Sequence, residues 1–120
     1  MIPYYRAKSN ERKNTYVEGL LIGIDEELNL CTIRTKDDYI GGEVCYLHTL
    51  SINFPDMLDS QGNKIFASLS EDGKGGDIIE TELKRVCTAK YKEYFFYADN
   101  KDYHCNCFGF IHSKIIGIQQ

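Results

Sequence analysis

The side chains best suited to chemistry lie in one short segment near the end of the chain. His104, Cys105 and Cys107 stand close together, and His112 follows a few residues later. On a strand, Cys105 and Cys107 would share one face, where two thiolates could bind zinc or another soft metal ion. His104, Cys105, Cys107 and His112 are therefore the candidate metal ligands. The other cysteines that could complete such a site are Cys31, Cys45 and Cys87.

The spacing of these cysteines also argues against a metal site. Structural zinc sites usually take cysteines that are two to four residues apart, often in two such pairs. This chain offers a single Cys-x-Cys. Since a free cysteine is commonly a small buried apolar residue, we expect the cysteines to pack in the core. We expect neither a metal ion nor another cofactor.

A cysteine nucleophile with a histidine base is a second type of chemistry. The nearest pairs in the sequence are Cys45 with His48 and Cys107 with His112. A nucleophilic cysteine needs an activating partner and a site that stabilises the developing oxyanion. No local motif supplies that environment. We therefore predict that the protein is not an enzyme, and we keep a metal- or thiol-dependent enzyme that uses Cys105 and Cys107 as an alternative.

Nucleic-acid binding, a third possibility, would depend on the basic residues Lys84, Arg85, Lys90 and Lys92 and on the aromatic stretch at 91–97. The aromatic rings could stack bases. However, the net charge of −4 argues against broad electrostatic binding, which needs clustered cations. We expect a solvated face, and we keep a nucleic-acid-binding small β-barrel as the first alternative. That alternative predicts cations and exposed aromatics on one face, and binding that weakens steeply with salt.

The segment Gly73-Lys74-Gly75-Gly76-Asp77 superficially resembles a phosphate-binding loop. It lacks the spacing of a P-loop, and no strong helix follows to present its N-terminus to a phosphate. We therefore expect this segment to form a turn or hinge.

The composition is that of a small globular protein. The chain has 120 residues, of which 42% are hydrophobic and 27% charged, and this suits one domain with its own core. Nine Tyr and six Phe favour β-structure. No apolar run approaches the roughly 20 residues that span a bilayer. We expect a cytoplasmic protein with reduced cysteines and no membrane partner.

The elements that must position these residues are short and β-like. Turn residues recur about every eight to twelve positions, which favours a barrel or sandwich over alternating strands and helices. Apolar and polar residues alternate over 28–35 with a period of two, which fits a strand although neither face is purely apolar. Strands are expected at 2–8, 16–24, 28–35, 43–52, 64–69, 77–89, 91–97, 104–111 and 114–118. As alternatives, 64–69 could be a hydrophobic segment packed beneath the next loop, and 81–85 could take a helical turn. The glycine-rich stretch 70–76 is expected to be a mobile loop or long turn.

Five segments spread over most of the chain form a recognisable series. They are Tyr5-Arg6-Ala7-Lys8, Tyr16-Val17-Glu18-Gly19, Leu58-Asp59-Ser60-Gln61-Gly62-Asn63-Lys64-Ile65-Phe66, Gly76-Asp77-Ile78-Ile79 and Ile115-Ile116-Gly117-Ile118. This series resembles segments of the YopX family of small proteins encoded by phages, prophages and other mobile elements. The stretch 67–75 is longer than its counterpart in the family, which implies a longer loop here.

The resemblance implies a mainly β fold with a small SH3-like barrel and self-association, and it implies no established activity, catalytic residue or cofactor. We predict a β-rich N-terminal part, the barrel in the second half, and little helix. Residues 1–120 would form one domain, which could divide into sub-structures 1–69 and 76–120 joined by the glycine-rich loop. The expected function is a non-enzymatic interaction or self-assembly module in the cytoplasm of a bacterial host, with a second copy or a host protein as its partner.

Overall fold

A computed structural model describes residues 2–35 and 41–120 of the chain, without the side chains of residues 105–109. The described residues form mostly strands, with two short 3-10 helices, so the predicted mainly β class with little helix is confirmed. The strands are β1 (Tyr4–Lys8), β2 (Tyr16–Asp25), β3 (Leu30–Arg34), β4 (Glu43–Tyr46), β5 (Ser51–Asn53), β6 (Ala67–Ser68), β7 (Asp77–Glu80), β8 (Val86–Lys92), β9 (Phe95–Asp99), β10 (His104–Asn106) and β11 (Lys114–Ile118). The 3-10 helices are Leu47–Thr49 and Cys107–His112.

The first half of the chain rolls up into a small barrel. Strands β5, β1, β2, β3 and β4 lie side by side in this order, and every neighbouring pair is antiparallel. A bridge between Ser9 and Cys45 joins the end of β1 to β4. The N–H of Asn10 also donates to the carbonyl of Val44 at 2.9 Å. The barrel encloses a core of Ala7, Val17, Cys31, Ile33, Cys45 and Leu50.

The second half is a curled sheet that resembles half of a barrel. Strand β8 pairs with β9 on one side and with β7 on the other, and β10 and β11 extend the sheet at its two ends. The two-residue strand β6 pairs with both β5 and β8, so that one sheet runs through both halves. This half has a core of its own, made of Ile65, Ala67, Ile79, Cys87, Ala89, Ala98 and Phe110.

The prediction of a small barrel is confirmed at the level of the fold class, and the structure adds where the sheet closes. We expected the barrel in the second half, which forms the curled half-barrel. Closure by the bridge between Ser9 and Cys45 occurs in the first half, which we had described only as β-rich. The closing contact joins segments 36 residues apart, and a local strand pattern does not reveal such a pairing.

The segment predicted as one strand over 43–52 is instead divided by a 3-10 helix. The cause is the hydroxyl of Thr49, which donates to the carbonyl of Tyr46 at 2.7 Å and accepts from the N–H of Lys8 at 2.8 Å. These two bonds hold the chain in a tight turn against β1. The apolar residues on either side of the turn belong to β4 and β5.

Two further strand predictions were wrong because the chain turns without the usual turn residues. The segment 77–89 forms β7 and most of β8, separated by a turn in which Lys84 has a φ of 62°. The segment 91–97 contains the turn between β8 and β9, at Glu93 and Tyr94. Pairing of the flanking strands, for example Ile79 opposite Cys87, outweighs the β-propensity of the turn residues.

The strands predicted at 64–69 and 104–111 are shorter than expected. Only Ala67–Ser68 forms a strand in the first segment, and the second continues after Asn106 as the 3-10 helix Cys107–His112. The strands predicted at 2–8, 16–24, 28–35 and 114–118 are confirmed within a few residues at each end.

Gly19 marks the point at which β2 changes its partner. Residues 16–19 pair with β1, and residues 20–25 pair with β3. A Cβ atom at Gly19 would lie 2.1 Å from the carbonyl oxygen of Arg34. Because only glycine lets the two backbones approach so closely, this residue forms the corner of the barrel.

The glycine-rich segment is a turn packed between the two halves. Gly75 has a φ of +81°, and a Cβ atom there would lie 1.8 Å from the carbonyl oxygen of Thr49. The hydroxyl of Ser68 donates to the carbonyl of Lys74 at 2.7 Å. The segment thus forms the turn we predicted, and its backbone lies against β6 and the first 3-10 helix.

Replacement of Gly75 by Ala tests this packing. Gly75→Ala should lower the free energy of unfolding by about 1–2 kcal/mol for the left-handed backbone and by about 1–3 kcal/mol more for the clash with Thr49. Urea unfolding followed by circular dichroism measures the loss. The matched control is Gly62→Ala, since Gly62 also has a φ of +81° but a Cβ atom there meets nothing within 4 Å. Equal losses in the two variants would contradict the packing.

Candidate functional site

The two halves meet at a buried ion pair between Arg6 of β1 and Asp77 of β7. Nη2 of Arg6 donates to Oδ1 of Asp77 at 2.8 Å and to the carbonyl of Gly75 at 2.8 Å. Only 8% of the Arg6 side chain and 2% of the Asp77 side chain are exposed. Alternation along β1 explains this position, because Ala7 faces the barrel core and its neighbour Arg6 faces the second half.

Further contacts surround this ion pair on both sides. Oδ2 of Asp77 accepts from the N–H of Phe66 at 2.8 Å, and the guanidinium of Arg6 lies 4.6 Å from the centre of the Phe66 ring. Burial raises the pKa of the Asp77 carboxyl, while the charge of Arg6 and the N–H of Phe66 counteract part of this effect. Nε of Arg6 is buried without an acceptor among the described residues.

A cleft of about 470 Å³ opens above the pair, between the barrel and the curled sheet. Its walls combine both signs of charge with apolar side chains. They are formed by Arg6, Glu18, Asn63, Lys64, Phe66, Asp77, Ile115, Gly117 and Ile118. Two cations, Arg6 and Lys64, are balanced in number by the carboxylates of Glu18 and Asp77, so the cleft presents no excess of either charge to a ligand. The arrangement is suited to joining the two halves.

A double-mutant cycle measures how strongly the pair joins the halves. Arg6→Met should lower the free energy of unfolding by about 3–5 kcal/mol, because Asp77 would stay buried without its counter-charge. The double variant Arg6→Met/Asp77→Asn should lose less than the sum of the two single variants. Urea unfolding at neutral pH measures all three.

Arg12→Met is the matched control for this cycle. Nη2 of Arg12 lies 2.7 Å from Oε1 of Glu43, nearly the distance in the buried pair, but the Arg12 side chain is 60% exposed. Solvent screens such a pair, so this variant should change the stability little. A loss as large as that of Arg6→Met would contradict the special role of the buried pair.

The structure does not assemble the predicted metal ligands into a site within the part it describes. The ring of His104 stacks on Tyr97, with ring centres 5.2 Å apart, and Nδ1 of His112 lies 3.5 Å from Oε1 of Glu82. The side chains of Cys105 and Cys107 lie outside the described residues. Among the side chains that are described, no group of three or more His, Cys, Asp or Glu residues could hold a metal ion.

The remaining cysteines are buried, as expected for residues of the core. Cys31 and Cys45 are free thiols that face each other across β3 and β4. Burial raises the pKa of Cys31 to about 11 and that of Cys45 to about 12, so both thiols stay protonated at neutral pH. Cys87 is buried in the second core.

The structure gives no support to Cys45 and His48 as a nucleophile and base. The sulfur of Cys45 donates to the carbonyl of Glu43, 3.6 Å away, and Nδ1 of the exposed His48 lies 2.7 Å from Nδ2 of Asn29. For the second pair, Cys107 with His112, the cysteine side chain lies outside the described residues.

Alkylation of the cysteines tests their burial. At pH 8, iodoacetamide should label Cys31 and Cys45 in urea-unfolded protein and leave them largely unlabelled in the folded protein, because only the thiolate reacts. Peptide mass spectrometry measures the labelled fraction. Rapid labelling of folded Cys45 would contradict the burial. Since the unfolded thiols ionise from about pH 8.5, the folded state should also lose stability as the pH rises above this value towards 11 and 12.

The hairpin of β8 and β9 carries the most exposed aromatic side chains of the described chain. Its two-residue turn consists of Glu93 and Tyr94, with φ values of 52° and 72°. Tyr94 is 91% exposed and Phe95 is 72% exposed. A two-residue turn with both φ values positive usually contains Asn and Gly, so a tyrosine here holds an unfavourable backbone conformation.

One face of this hairpin combines aromatic and charged side chains. Because side chains alternate along a strand, Lys92, Phe95 and Tyr97 lie on the face opposite to the core residues Ala89 and Ala98. The ring of His104 stacks on Tyr97 from the neighbouring β10. We call the set Lys92, Tyr94, Phe95, Tyr97 and His104 the hairpin surface.

The predicted nucleic-acid residues are only partly brought together, and each has a partner. Lys90 and Lys92 share the outer face of β8, where Lys90 pairs with Asp99 and Lys92 with Glu71, both at 2.8 Å. Lys84 and Arg85 lie in the turn before β8. Lys84 is 3.7 Å from Glu80, and the guanidinium of Arg85 lies 4.1 Å from the ring centre of Tyr103.

Sequence reasoning missed both the buried pair and the exposed turn. The alternation of Arg6 with Ala7 in β1 could have placed Arg6 on a second face, but its partner is 71 residues away. Nothing in the residue types around Tyr94 indicates a turn.

Comparison with known proteins assigns no family to the chain. No family model matches it, and no curated protein matches it either. In the described residues, the helices are too short to cross a membrane.

Proposed function

We propose that this protein is a non-enzymatic interaction module that contacts a partner protein through the hairpin surface. The observation that carries the proposal is the exposure of Tyr94 and Phe95, two adjacent aromatic side chains at the tip of a tight hairpin. Single exposed apolar residues are common and need no explanation. Here, however, the turn holds the backbone of Tyr94 in the left-handed region, with a φ of 72°, which costs about 1–2 kcal/mol for a residue other than glycine.

The chemistry of the hairpin surface suits contact with protein. Tyrosine and phenylalanine provide much of the binding energy of interfaces, because they bury a large area with little loss of side-chain entropy. The ion pair of Lys92 with Glu71 lies beside the rings and would form a polar rim. A backbone strained around an exposed aromatic is a common sign of a functional residue.

The resemblance to the YopX family agrees with this proposal. The resemblance implies self-association, and it implies no established enzymatic activity. We therefore propose an interaction or self-assembly module of a mobile genetic element in a bacterial cytoplasm, with a second copy or a host protein as the partner.

Replacing Tyr94 by Gly separates binding from stability. Tyr94→Gly should raise the free energy of unfolding by about 1 kcal/mol, because glycine adopts a positive φ without strain. The same change should abolish partner binding, since the exposed ring is lost. Thermal unfolding measures the stability. A variant that is both less stable and fully able to bind would contradict a functional role of the ring.

Photo-crosslinking identifies the partner class in a single experiment. A benzoylphenylalanine residue at position 94, in protein produced in bacterial cells, should give one discrete adduct on irradiation. Twice the mass of the chain would identify a second copy, and another single mass would identify a host protein. The control places the same residue at the exposed Lys101 in the turn between β9 and β10. No adduct, or the same adducts from both positions, would contradict the proposal.

Nucleic acid is the second candidate, favoured by the stack of Tyr97 on His104 beside Lys92. A base could continue such a stack. It ranks second because Lys84, Lys90 and Lys92 each already pair with a carboxylate. An adduct at position 94 that a nuclease degrades would support it over the protein partner.

A further inference from the structure

The second part of β2 has a backbone edge that no described strand covers. The ladder with β1 ends at Gly19, whereas the ladder with β3 begins at Leu20 and ends at Asp25. From Leu20 to Asp25 the strand is therefore paired on one side only. An uncovered edge offers N–H and C=O groups that can pair with a strand of another chain.

The exposed edge is also apolar. Leu20, Ile22 and Ile24 are between 43% and 54% exposed. Ile22 sits at the bulge where the register with β3 shifts. Such a bulge twists an edge, which is one way proteins protect it. The stretch 20–25 contains neither a lysine nor a proline, the residues that most often block pairing.

Negative charge lies at the end of this edge. Asp25, Glu26 and Glu27 follow one another, and none forms an ion pair with a described residue. The edge of β2 at Glu18 is already covered by β1, in which Arg6 is the partner of Glu18, so a second copy could offer only its own residues 20–25. That stretch contains no basic residue to place beside the acids. The charges therefore favour a different partner that carries basic residues.

We infer that the edge from Leu20 to Asp25 accepts an extended strand of a partner protein. In this strand, apolar residues alternate with polar ones, and basic residues stand at its N-terminal end. The strand should run antiparallel to β2, because antiparallel pairing is the more stable arrangement and both neighbours of β2 are antiparallel to it. Its N-terminal end would then lie beside Glu26 and Glu27. This inference does not depend on the hairpin surface, which lies in the other half of the chain.

Two synthetic peptides test the inference with the full-length protein. Both are short strands of alternating Val and Thr with a fluorescent label, one preceded by a pair of lysines and the other by a pair of glutamates. Fluorescence anisotropy measures their affinities at low salt. The lysine peptide should bind about fivefold more tightly than the glutamate peptide, as expected for two exposed ion pairs.

Charge reversal in the protein provides the decisive comparison. Glu26→Lys/Glu27→Lys should invert the preference, so that the glutamate peptide binds more tightly. Asp25 is left in place because its Oδ1 accepts the N–H of Leu28 at 3.1 Å and holds the turn. Leu20→Lys/Ile22→Lys should reduce the affinity for both peptides at least tenfold by blocking the edge. Leu83→Lys, a matched change at an exposed leucine in the other half, should leave binding unchanged.

Three results would overturn the inference. Failure of both peptides to bind at millimolar concentration would show that the edge does not accept a strand. If the two peptides bind with equal affinity, both to the wild type and to the charge-reversed variant, the partner strand does not need basic residues. Self-association of the wild type that disappears in Leu20→Lys/Ile22→Lys would assign the edge to a second copy. The variant Tyr94→Gly should bind the lysine peptide normally, which separates this result from the function proposed for the hairpin.

Discussion

The ion pair of Arg6 with Asp77 is the contact on which the rest of the structure depends. Each half has its own core, and a two-residue strand provides the only sheet continuity between the halves in the described chain. The pair adds a directional contact at this narrow junction. A buried charge without a counter-charge destabilises the folded state, so Arg6 and Asp77 each require the other at this position. Gly75 belongs to the same junction, since its carbonyl accepts from Arg6 and its lack of a side chain lets the turn approach Thr49.

Both proposed contact surfaces arise where strands are unequal in length or turn sharply. β1 is half as long as β2, and this difference leaves the edge from Leu20 to Asp25 uncovered. The tight turn between β8 and β9 forces Tyr94 away from the sheet. In the cleft, by contrast, the charge of Arg6 is already balanced by that of Asp77. We therefore propose binding at protruding features and strand edges rather than in the cleft.

Local pattern placed β1, β2, β3 and β11 to within a few residues, whereas long-range contacts decided where the other predicted strands are interrupted. The alternation over 28–35 correctly placed β3, and short strands between turn residues indicated a small barrel. The hairpin at Tyr94 was missed because a bulky aromatic residue rarely adopts a positive φ and favours a strand. Pairing of Tyr91 with Phe96 across the hairpin overrides this local preference. The partner of Arg6 was invisible because nothing local connects it with a residue 71 positions away. For Cys105 and Cys107, packing in the core and the alternative of metal binding both stay predictions.

The long separation of Arg6 and Asp77 also has an evolutionary consequence. A crossover anywhere between the codons of these two residues would inherit the arginine from one parent and the aspartate from the other. Unless both parents carry the same pair, the hybrid would bury one charge without its counterpart. The two halves, although each has a separate core, are therefore constrained to be inherited as one unit.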